Sequence, residues 1–336
     1  MSVLALNATE QALKESGLYG TALVKSGRLG IAYGSCSGGV DAFADLITVV
    51  HQREIKNVTS STYIKLMPQT AAVNLSVHFG TTGRLIPTCS ACASGSLAIG
   101  EAYEAIAFGK QDMMIAGGAE EISVAQVAVF DTLFATSRRN DGPSLTPRAF
   151  DRDRDGLVVG DGAATLILEE REHAIARGAP IFAEVVGFGA NTDGRHVTQP
   201  NAATMAVALK LALENASLSP EDIGYVNAHG TATQLGDVAE STAMREVFGK
   251  HNVPVSTIKN YTGHTLGACG ALEAIMTISM MNSDWYAPNL NLENPDPECC
   301  GHDFIVGSGR SFSSKYVMSN NFAFGGVNTS LVCARV

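Results

Sequence analysis

The chain has 336 residues, of which 46% are hydrophobic, and its formal net charge at pH 7 is −10. A chain of this length and apolar content buries a large core, which excludes an intrinsically disordered protein. The acidic balance leaves no basic stripe, so we expect no nucleic-acid partner. Gly, Asp or Glu interrupts every apolar run well before the length of a bilayer span, so we also expect no membrane segment.

The cysteines and the N-terminal residues indicate the compartment. Seven cysteines, an odd number that includes the neighbours Cys299 and Cys300, make a poor disulfide framework. These two lie in a Pro- and Asp-rich loop, where we expect surface thiols without a partner. The first helix-like stretch carries Glu10, Lys14 and Glu15 and lacks the cationic start and cleavage site of a signal peptide. The sequence therefore predicts a cytoplasmic protein.

Helical and strand-like patterns alternate along the first half of the chain. In chain order we predict a helix over 3–16, a strand over 29–33, helices over 40–51 and 68–79, a strand-like run over 84–87, a helix after Cys92, a strand over 112–116, a helix over 124–134 and a strand over 163–168. The polar stretch 137–155 predicts a long loop. The first predicted element is a helix, so this half has no leading strand for its first strand–helix unit.

The second half repeats the alternation. We predict a strand over 182–186, a helix over 204–215, a strand over 225–227, helices over 237–248 and 268–281, and strands over 316–320 and 330–334. Such alternation is typical of the α/β class. We divide the chain into an N-terminal half, 1–170, and a C-terminal half, 171–336.

Cys92 stands in the sequence Thr-Cys-Ser-Ala-Cys-Ala-Ser-Gly, where a strand-like run gives way to a helical pattern. Unpaired N–H groups and the dipole at a helix start favour a thiolate, so the position suits a nucleophile. The alternative is a small buried apolar side chain. Cys89 and Cys92 also have the spacing of a redox dithiol or half a zinc site. Since the sequence offers no second CxxC and no His-x-His cluster, we predict neither a dithiol nor a metal site.

Two histidines lie in Gly- and Thr-rich stretches far downstream. His229 follows a short apolar run, and after it Gly230 permits close backbone approach while Thr231 and Thr233 offer hydroxyls. A core histidine is the alternative at this position. His264 stands in a similar Gly-rich context. The order Cys, His, His suggests acyl-thioester chemistry.

Three further features accompany these residues. Lys259 and Glu273 flank His264 and form either a buried ion pair or an exposed lysine and glutamate. The Gly-Gly turn within 320–328 is either a plain hairpin or a source of an oxyanion N–H group and aromatic pocket walls. The Gly-rich stretch 34–39 lacks the Lys-Ser/Thr ending of a phosphate loop, so we interpret it as a pocket wall.

Several motifs carry a family resemblance: residues 91–95 around Cys92, 151–156 in the form Asp-x-x-Arg-Asp-Gly, 227–233 with Gly236-Asp237, Lys259 with 262–264, and 322–328. Together they resemble the β-ketoacyl-acyl-carrier-protein synthases of the thiolase superfamily, in the Cys-His-His elongating class. The resemblance covers nearly the whole chain. It implies a thiolase-like α/β fold with five layers, αβαβα, built from two pseudo-repeated halves.

The resemblance also implies an activity and partners. The expected reaction is a decarboxylative Claisen condensation of an acyl-Cys enzyme with malonyl-ACP, giving 3-oxoacyl-ACP and CO2, in fatty acid or related polyene or polyketide biosynthesis. The expected acyltransferase uses no cofactor, because its substrates are carried on the phosphopantetheine of acyl carrier protein. We expect a homodimer, with a heterodimer containing a related ketosynthase as the alternative.

The same resemblance assigns roles to individual residues. It implies Cys92 as the nucleophile and His229 with His264 as the decarboxylation pair. The remaining assignments are the Lys259–Glu273 ion pair, Thr231 and Thr233 at the pantetheine arm, Phe322 and Phe324 as the gate, an oxyanion N–H from Phe324, and substrate contacts from Phe130 and Glu273.

The sequence departs from the family pattern in a few places. Family members usually begin with a strand and further residues ahead of the first helix, so we expect this sequence to be truncated, wrongly started or only part of the chain. Part of the usual carrier-docking surface lies in that segment. Ala323 and Val327 replace the Gly and Thr common in the gate loop. Cys36 and Ser37 stand where other members shape the acyl pocket, which leaves chain-length preference open.

Three other activities are weighed against this one. A thiolase needs a second catalytic cysteine in a Cys-x-Gly motif, whereas Cys333 lies in a strand-like run. An initiating Cys-His-Asn synthase has Asn where His264 stands. A non-catalytic chain-length partner subunit lacks the nucleophile that Cys92 provides, although a partner-dependent subunit remains the alternative to the enzyme.

Overall fold

The computed structural model describes residues 1–56, 58–299 and 301–336, and their helices and strands group into two units. The first unit comprises Met1–Thr132, Asp161–Ala179 and Leu266–Ala271, and the second comprises Leu133–Gly160, Pro180–Thr265 and Leu272–Val336.

A four-stranded sheet forms the centre of the first unit. Its strands are β1 (Leu29–Gly34), β2 (Leu85–Thr88), β3 (Met113–Glu120) and β4 (Gly162–Glu169), in the order β2-β1-β3-β4. Both β2 and β3 run parallel to β1, and β4 is antiparallel to β3. Every residue of β1 and β3 is buried, as expected of central strands with apolar and small residues on both faces.

The first unit also contains seven described helices. They are α1 (Ser2–Glu15), α2 (Ala42–Gln52), α3 (Ser60–Leu66), α4 (Thr70–Phe79), α5 (Ser94–Ala107), α6 (Val124–Thr132) and α7 (Arg171–Ala176), with a 3-10 turn at Ala22–Lys25. The apolar faces of α1 and α4 supply Leu13 and Leu75 to one core cluster with Ile31 and Met113 of the sheet.

The second unit contains a six-stranded sheet. Its strands are β5 (Glu184–Thr192), β6 (Ile223–Asn227), β7 (Pro254–Ser256), β9 (Asp303–Phe304), β11 (Tyr316–Ala323) and β12 (Val327–Ala334), in the order β5-β12-β11-β6-β7-β9, and β8 (Trp285–Tyr286) pairs separately with β10 (Arg310–Ser311). The strands β11, β6, β7 and β9 are parallel, so their carboxyl ends lie at the same edge. A site at that edge is the usual outcome in α/β sheets.

The helices that follow these strands are α8 (Ala202–Ala216), α9 (Gln234–Phe248), α10 (Lys259–Thr262) and α11 (Cys269–Asn282), and the 3-10 turns are Pro143–Leu145, Pro220–Asp222, Leu266–Ala268 and Pro297–Cys299. The first residues of α11 are grouped with the first unit and 272–282 with the second. Leu209 of α8 and Met244 of α9 pack with Val226 and Val332 of the sheet in the main core cluster of the second unit.

The predicted α/β class is confirmed, and each long predicted helix and strand is present with ends shifted by a few residues. The short elements α3, α7, α10 and β7 to β10 were missed, because they are too short to show a period. The division at residue 170 and the order of five layers stay predictions. None of the helices in the described residues combines the length and apolarity needed to cross a bilayer.

One expectation about cysteines is wrong. Cys299 is fully buried, in the core cluster of the second unit, and is not a surface thiol. Burial raises the pKa of its thiol to about 11. Cys299 is the last residue of a 3-10 turn. Its N–H donates to the Asp296 carbonyl and the N–H of Glu298 donates to the Asp296 carboxylate, and these bonds fold the Pro-rich segment inward. Cys300 lies outside the described residues.

Candidate active site

Cys92 lies in a sharp bend of the first unit, between the end of β2 at Thr88 and the start of α5 at Ser94. The preceding Ala91 has a φ of 45°, a left-handed conformation that costs a non-glycine residue free energy. Cys92 is 5% exposed, directly before the N-cap residue Ala93. The bend therefore holds a thiol at the start of a helix.

Ser94 fastens this bend. Its Oγ accepts a hydrogen bond from the Ser90 N–H at 2.9 Å and donates one to the Ala91 carbonyl at 2.7 Å. Thr88 Oγ1 donates to the Ser94 carbonyl at 2.8 Å. Because these bonds join both sides of the bend, the strained Ala91 backbone is held in place. Ser94 lies within the motif around Cys92, but its residue type alone predicted no role.

A second contact reaches the nucleophile's own backbone. Cys269, the first residue of α11, donates its thiol hydrogen to the Cys92 carbonyl at 3.2 Å. The contact fixes the peptide that follows Cys92. Cys269 was not predicted from the sequence, where its only signal was its place in the Gly-rich stretch after His264.

The two histidines lie together in the second unit. His229 follows β6, and His264 follows α10. Both are buried, and their ring centroids are 5.3 Å apart with the ring planes at 87°. Burial, together with the charge of Lys259, lowers the pKa of both imidazoles well below the usual value of 6.5. Both rings are therefore neutral near pH 7, and each carries one N–H.

The protonation site on His229 follows from its neighbours. Its Nδ1 lies 3.0 Å from Lys259 Nζ and 3.3 Å from Asn321 Nδ2, and both of these groups are donors. Nδ1 is therefore the acceptor and the ring proton is on Nε2. The sheet explains why these residues meet. Ser319 of β11 and Ser256 of β7 each pair with Asn227 of β6. Asn321 therefore lies near the end of one strand adjacent to β6, and Lys259 follows the other.

Lys259 and Glu273 form a buried ion pair, each about 1% exposed. The other oxygen of Glu273 accepts a bond from Asn321 Nδ2 at 2.7 Å. Burial raises the pKa of Glu273, and the ammonium of Lys259 opposes that shift. Asn321 thus contacts both His229 and Glu273. Asn321 was not predicted as a site residue from the sequence, although Phe322 and Phe324 in the same motif were.

Glu240 of α9 holds the backbone of His229. Its two carboxyl oxygens accept the N–H groups of His229 at 2.7 Å and Gly230 at 2.8 Å. Burial raises the pKa of Glu240 to about 8, and these two N–H bonds oppose the shift. Glu240 was not predicted as a site residue, because the residues next to it in the sequence do not indicate that this glutamate is buried.

The Asp-x-x-Arg-Asp-Gly motif supplies a buried arginine to the second unit. Arg154 is fully buried between Asp296, at 2.5 Å, and Asp237, at 3.6 Å. Asp237 also accepts the N–H groups of Phe150 and Ala232. These contacts hold the segment that follows His229.

Thr231 and Thr233 share a hydrogen bond of 2.9 Å between their hydroxyl oxygens. Thr233 is also the N-cap of α9, where its Oγ1 accepts the Gly236 N–H at 3.2 Å. Both residues are partly exposed. Capping occupies one side of the Thr233 hydroxyl, so Thr231 has the more available hydroxyl of the two.

The predicted gate lies at the β11–β12 hairpin. Phe322, near the end of β11, is buried with its ring centroid 6.1 Å from that of His229, and Phe324 is partly exposed in the turn. Gly325 and Gly326 follow with φ values of 89° and 71°, which favour glycine. A Cβ on Gly326 would lie 2.6 Å from Asp193.

Phe130 is buried on α6 in the first unit.

Comparison with known proteins identifies the family of this chain. Residues 1–174 match the N-terminal domain and residues 182–293 the C-terminal domain described for β-ketoacyl synthases. The chain is 42% identical over 337 residues to 3-oxoacyl-[acyl-carrier-protein] synthase 2 of Vibrio cholerae, a match that covers 97% of this chain and 80% of that protein. The chain belongs to the β-ketoacyl synthase family.

Solved structures agree with this assignment. A β-ketoacyl synthase from Burkholderia phymatum STM815 matches with a TM-score of 0.98 and 58% identity, over 100% of this chain and 82% of that one. A type II polyketide synthase structure, AntDE:AntF, matches at 0.91 and 29%, over 99% and 84%, and its ketosynthase is in complex with an acyl carrier protein. This β-ketoacyl synthase therefore has the thiolase-like fold and is an acyltransferase-type condensing enzyme.

Proposed function

We propose that this β-ketoacyl synthase is a 3-oxoacyl-[acyl-carrier-protein] synthase of fatty acid biosynthesis. It joins an acyl group held on Cys92 to malonyl-ACP with loss of CO2. The names of the curated relatives and the Cys-His-His residue set support this proposal.

One observation carries the proposal: two donors face Nδ1 of His229, which leaves its Nε2–H to donate. Beside it stands a second neutral imidazole, His264. Two N–H donors suit an oxygen on which negative charge develops, as happens when a malonyl thioester loses CO2 and becomes an enolate. Each such donor typically contributes about 2.7–4 kcal/mol of barrier lowering.

The first step is acyl transfer. Cys92 Sγ attacks the carbonyl carbon of an acyl thioester on acyl carrier protein and forms a new C–S bond. The bond from that carbon to the pantetheine sulfur breaks, and the pantetheine leaves as a thiol with the proton that the Cys92 thiol gives up. We assign the N–H groups of Cys92 and Phe324 to the oxyanion of the tetrahedral intermediate on Cys92, both here and when the enolate attacks in the next step.

The second step is decarboxylative condensation. His229 and His264 donate to the malonyl thioester carbonyl while the bond to CO2 breaks and its electron pair forms the enolate. The enolate carbon attacks the acyl carbon on Cys92, a C–C bond forms, and the Cys92 thiolate leaves. The product is 3-oxoacyl-ACP.

The remaining assignments follow the same proposal. Lys259, held by Glu273, keeps His229 in the Nε2–H form. The hydroxyls of Thr231 and Thr233 bind the pantetheine arm. Phe322 with Phe324 forms the gate, and Phe130 lines the acyl chain.

The proposal extends to partners and setting. Acyl carrier protein delivers both substrates on phosphopantetheine, and the chemistry written above uses no other cofactor. We propose a homodimer, with a heterodimer containing a related ketosynthase as the alternative, in the cytoplasm.

Replacement of Cys92 tests the nucleophile assignment. Cys92→Gln is expected to abolish acylation while malonyl decarboxylation continues, because the histidine pair remains. The matched control is Cys89→Ser, which removes the exposed thiol of the same motif and is expected to acylate normally. Condensation retained by Cys92→Gln would refute the assignment.

Mass spectrometry of the unmodified protein, after exposure to acyl carrier proteins loaded with acyl groups of several lengths, tests the enzyme against its alternative. Acylation confined to Cys92 supports the synthase and reports its chain-length preference. No acylation with any donor favours a partner-dependent subunit.

A further inference from the structure

Glu120 is the last residue of β3, and its carboxyl group is fully buried. It has no role in the proposed reaction. In the described part of the chain, every hydrogen bond that its carboxylate accepts comes from a neutral donor. Burial raises its pKa, and the N–H groups that it accepts oppose the shift. A carboxyl group buried without a cation is costly, so its hydrogen bonds need a structural reason.

Those hydrogen bonds join separate loops of the first unit. Oε2 accepts the N–H of Cys36 at 2.6 Å and the N–H of Gly267 at 3.1 Å. Oε1 accepts the hydroxyls of Ser35 and Ser37, both at 3.3 Å. One side chain therefore holds the loop after β1 to the 3-10 turn Leu266–Ala268.

Gln126 of α6 closes the network. Its Nε2 lies 2.5 Å from Ser37 Oγ and 3.4 Å from Glu120 Oε1, and its own Oε1 accepts the Ser123 N–H at 2.8 Å. The start of α6 is thereby tied to the same carboxyl group. Each polar group of this buried cluster has a partner among its neighbours, as a stable buried network requires.

The turn at Gly267 leaves no space for a side chain. A Cβ on Gly267 would lie 2.5 Å from the Cys36 nitrogen and 2.6 Å from Glu120 Oε2. On the other side, a Cβ on Gly95 of α5 would lie 3.0 Å from the Gly267 carbonyl oxygen. Leu266, with a φ of 47°, is held in a strained conformation. The bond from the Gly267 N–H to Glu120 is one of the contacts that hold the turn in this conformation.

The turn leads directly to the nucleophile. Cys269 follows it and donates to the Cys92 carbonyl at 3.2 Å. This bond fixes the orientation of the Cys92 carbonyl, and therefore restricts the position of the Cα atom that carries the reactive side chain. We propose that Glu120 is a positioning residue for Cys92, acting through the Gly267 turn and the Cys269 thiol.

The proposal rests on the proposed role of Cys92 as the acylated residue. It predicts how the rate of Cys92 acylation differs between two Glu120 variants. In Glu120→Gln the amide oxygen can still accept both N–H bonds, while its NH2 donates to the two serine hydroxyls. Glu120→Leu has a similar volume and no acceptor. We expect Glu120→Leu to lower the limiting rate of Cys92 acylation by about 10- to 100-fold, the cost of misplacing a reacting group, with the half-saturating donor concentration nearly unchanged.

Glu120→Gln should keep most of that limiting rate. The control for lost stability is Leu75→Ala, which leaves a cavity in the core of the same unit and is assayed, like the others, well below its unfolding temperature. An unchanged limiting rate in Glu120→Leu, or an equal loss in Leu75→Ala, would overturn the proposal.

A second pair of variants serves if Glu120→Leu does not fold. Cys269→Ala removes the donor to the Cys92 carbonyl, and Cys269→Ser restores one. Slow acylation in the alanine variant with recovery in the serine variant supports the proposal, and an unchanged rate in the alanine variant overturns it.

Alkylation of Cys92 by iodoacetamide, followed by mass spectrometry, requires no acyl donor. If the unmodified protein accepts no acyl group, the proposed function has failed, and the alkylation rates of the same variants still test the positioning. A changed rate at Cys92 in Glu120→Leu and Cys269→Ala supports it, and equal rates throughout overturn it.

Discussion

Replacing Lys259 by Met separates two tasks of one ammonium group. Lys259 neutralises the buried Glu273 and also donates to Nδ1 of His229. Methionine has a similar length and fills the same space without charge or donor. The double variant Lys259→Met/Glu273→Gln removes the negative charge as well, and the amide that replaces the carboxylate can still bond with Asn321.

The structure sets the expected magnitudes. In Lys259→Met the Glu273 carboxylate stays buried and keeps its bond from Asn321 but loses its cation, so we expect the free energy of unfolding to fall by about 3–5 kcal/mol. The double variant leaves no unpaired charge and should lie within about 1 kcal/mol of the unmodified protein.

Activity should follow a different pattern. In both variants Nδ1 of His229 loses its charged donor and keeps only the longer contact with Asn321 Nδ2, so the proton is held less firmly on Nε2. We expect malonyl decarboxylation to slow by about 10²- to 10³-fold in both, the usual loss for one oxyanion donor.

Urea unfolding and a decarboxylation assay on the same preparations test this reasoning. Equal loss of stability in the single and double variants would show that the charge of Glu273 is not the cause. Recovery of decarboxylation in the stable double variant would refute the role of Lys259 in setting the His229 tautomer.

Further outcomes concern pH, packing and a buried charge. Because burial raises the pKa of Glu240 from 4.5 to about 8, the folded protein holds that proton more tightly than the unfolded chain. The free energy of unfolding should therefore fall as pH rises between these values, by up to about 1.4 kcal/mol per unit, and Glu240→Gln should remove this slope, whereas parallel pH profiles would contradict the assignment. Gly267→Ala should lower the unfolding free energy by about 1–3 kcal/mol, because its methyl group meets the Cys36 nitrogen, and an unchanged urea midpoint would contradict that packing. Arg154→Met should cost about 3–5 kcal/mol in urea unfolding by leaving Asp237 without its cation, and the loss should shrink in Arg154→Met/Asp237→Asn.

Local pattern was sufficient for much of this protein. The continuous apolar and small residues of β1 and β3 predict central strands, and such strands are buried because both of their faces pack. The residues around Cys92 and His229 were found because reactive side chains and glycines cluster where strands end. Those signals are encoded in a few consecutive residues.

Other parts depended on residues distant in sequence. Asn321 reaches His229 because β11 pairs with β6, and Glu120 reaches Gly267 across 147 positions of the chain. Cys299, expected at the surface, is buried by the folding of its loop.

The sequence by itself therefore determined the α/β class, the order of the long elements and the reactive residues, since periodicity and residue chemistry are local properties. Only the tertiary structure decided which polar side chains hold those residues. A lone Glu or Asn looks alike on an exposed or a buried face until strand pairing selects its neighbours.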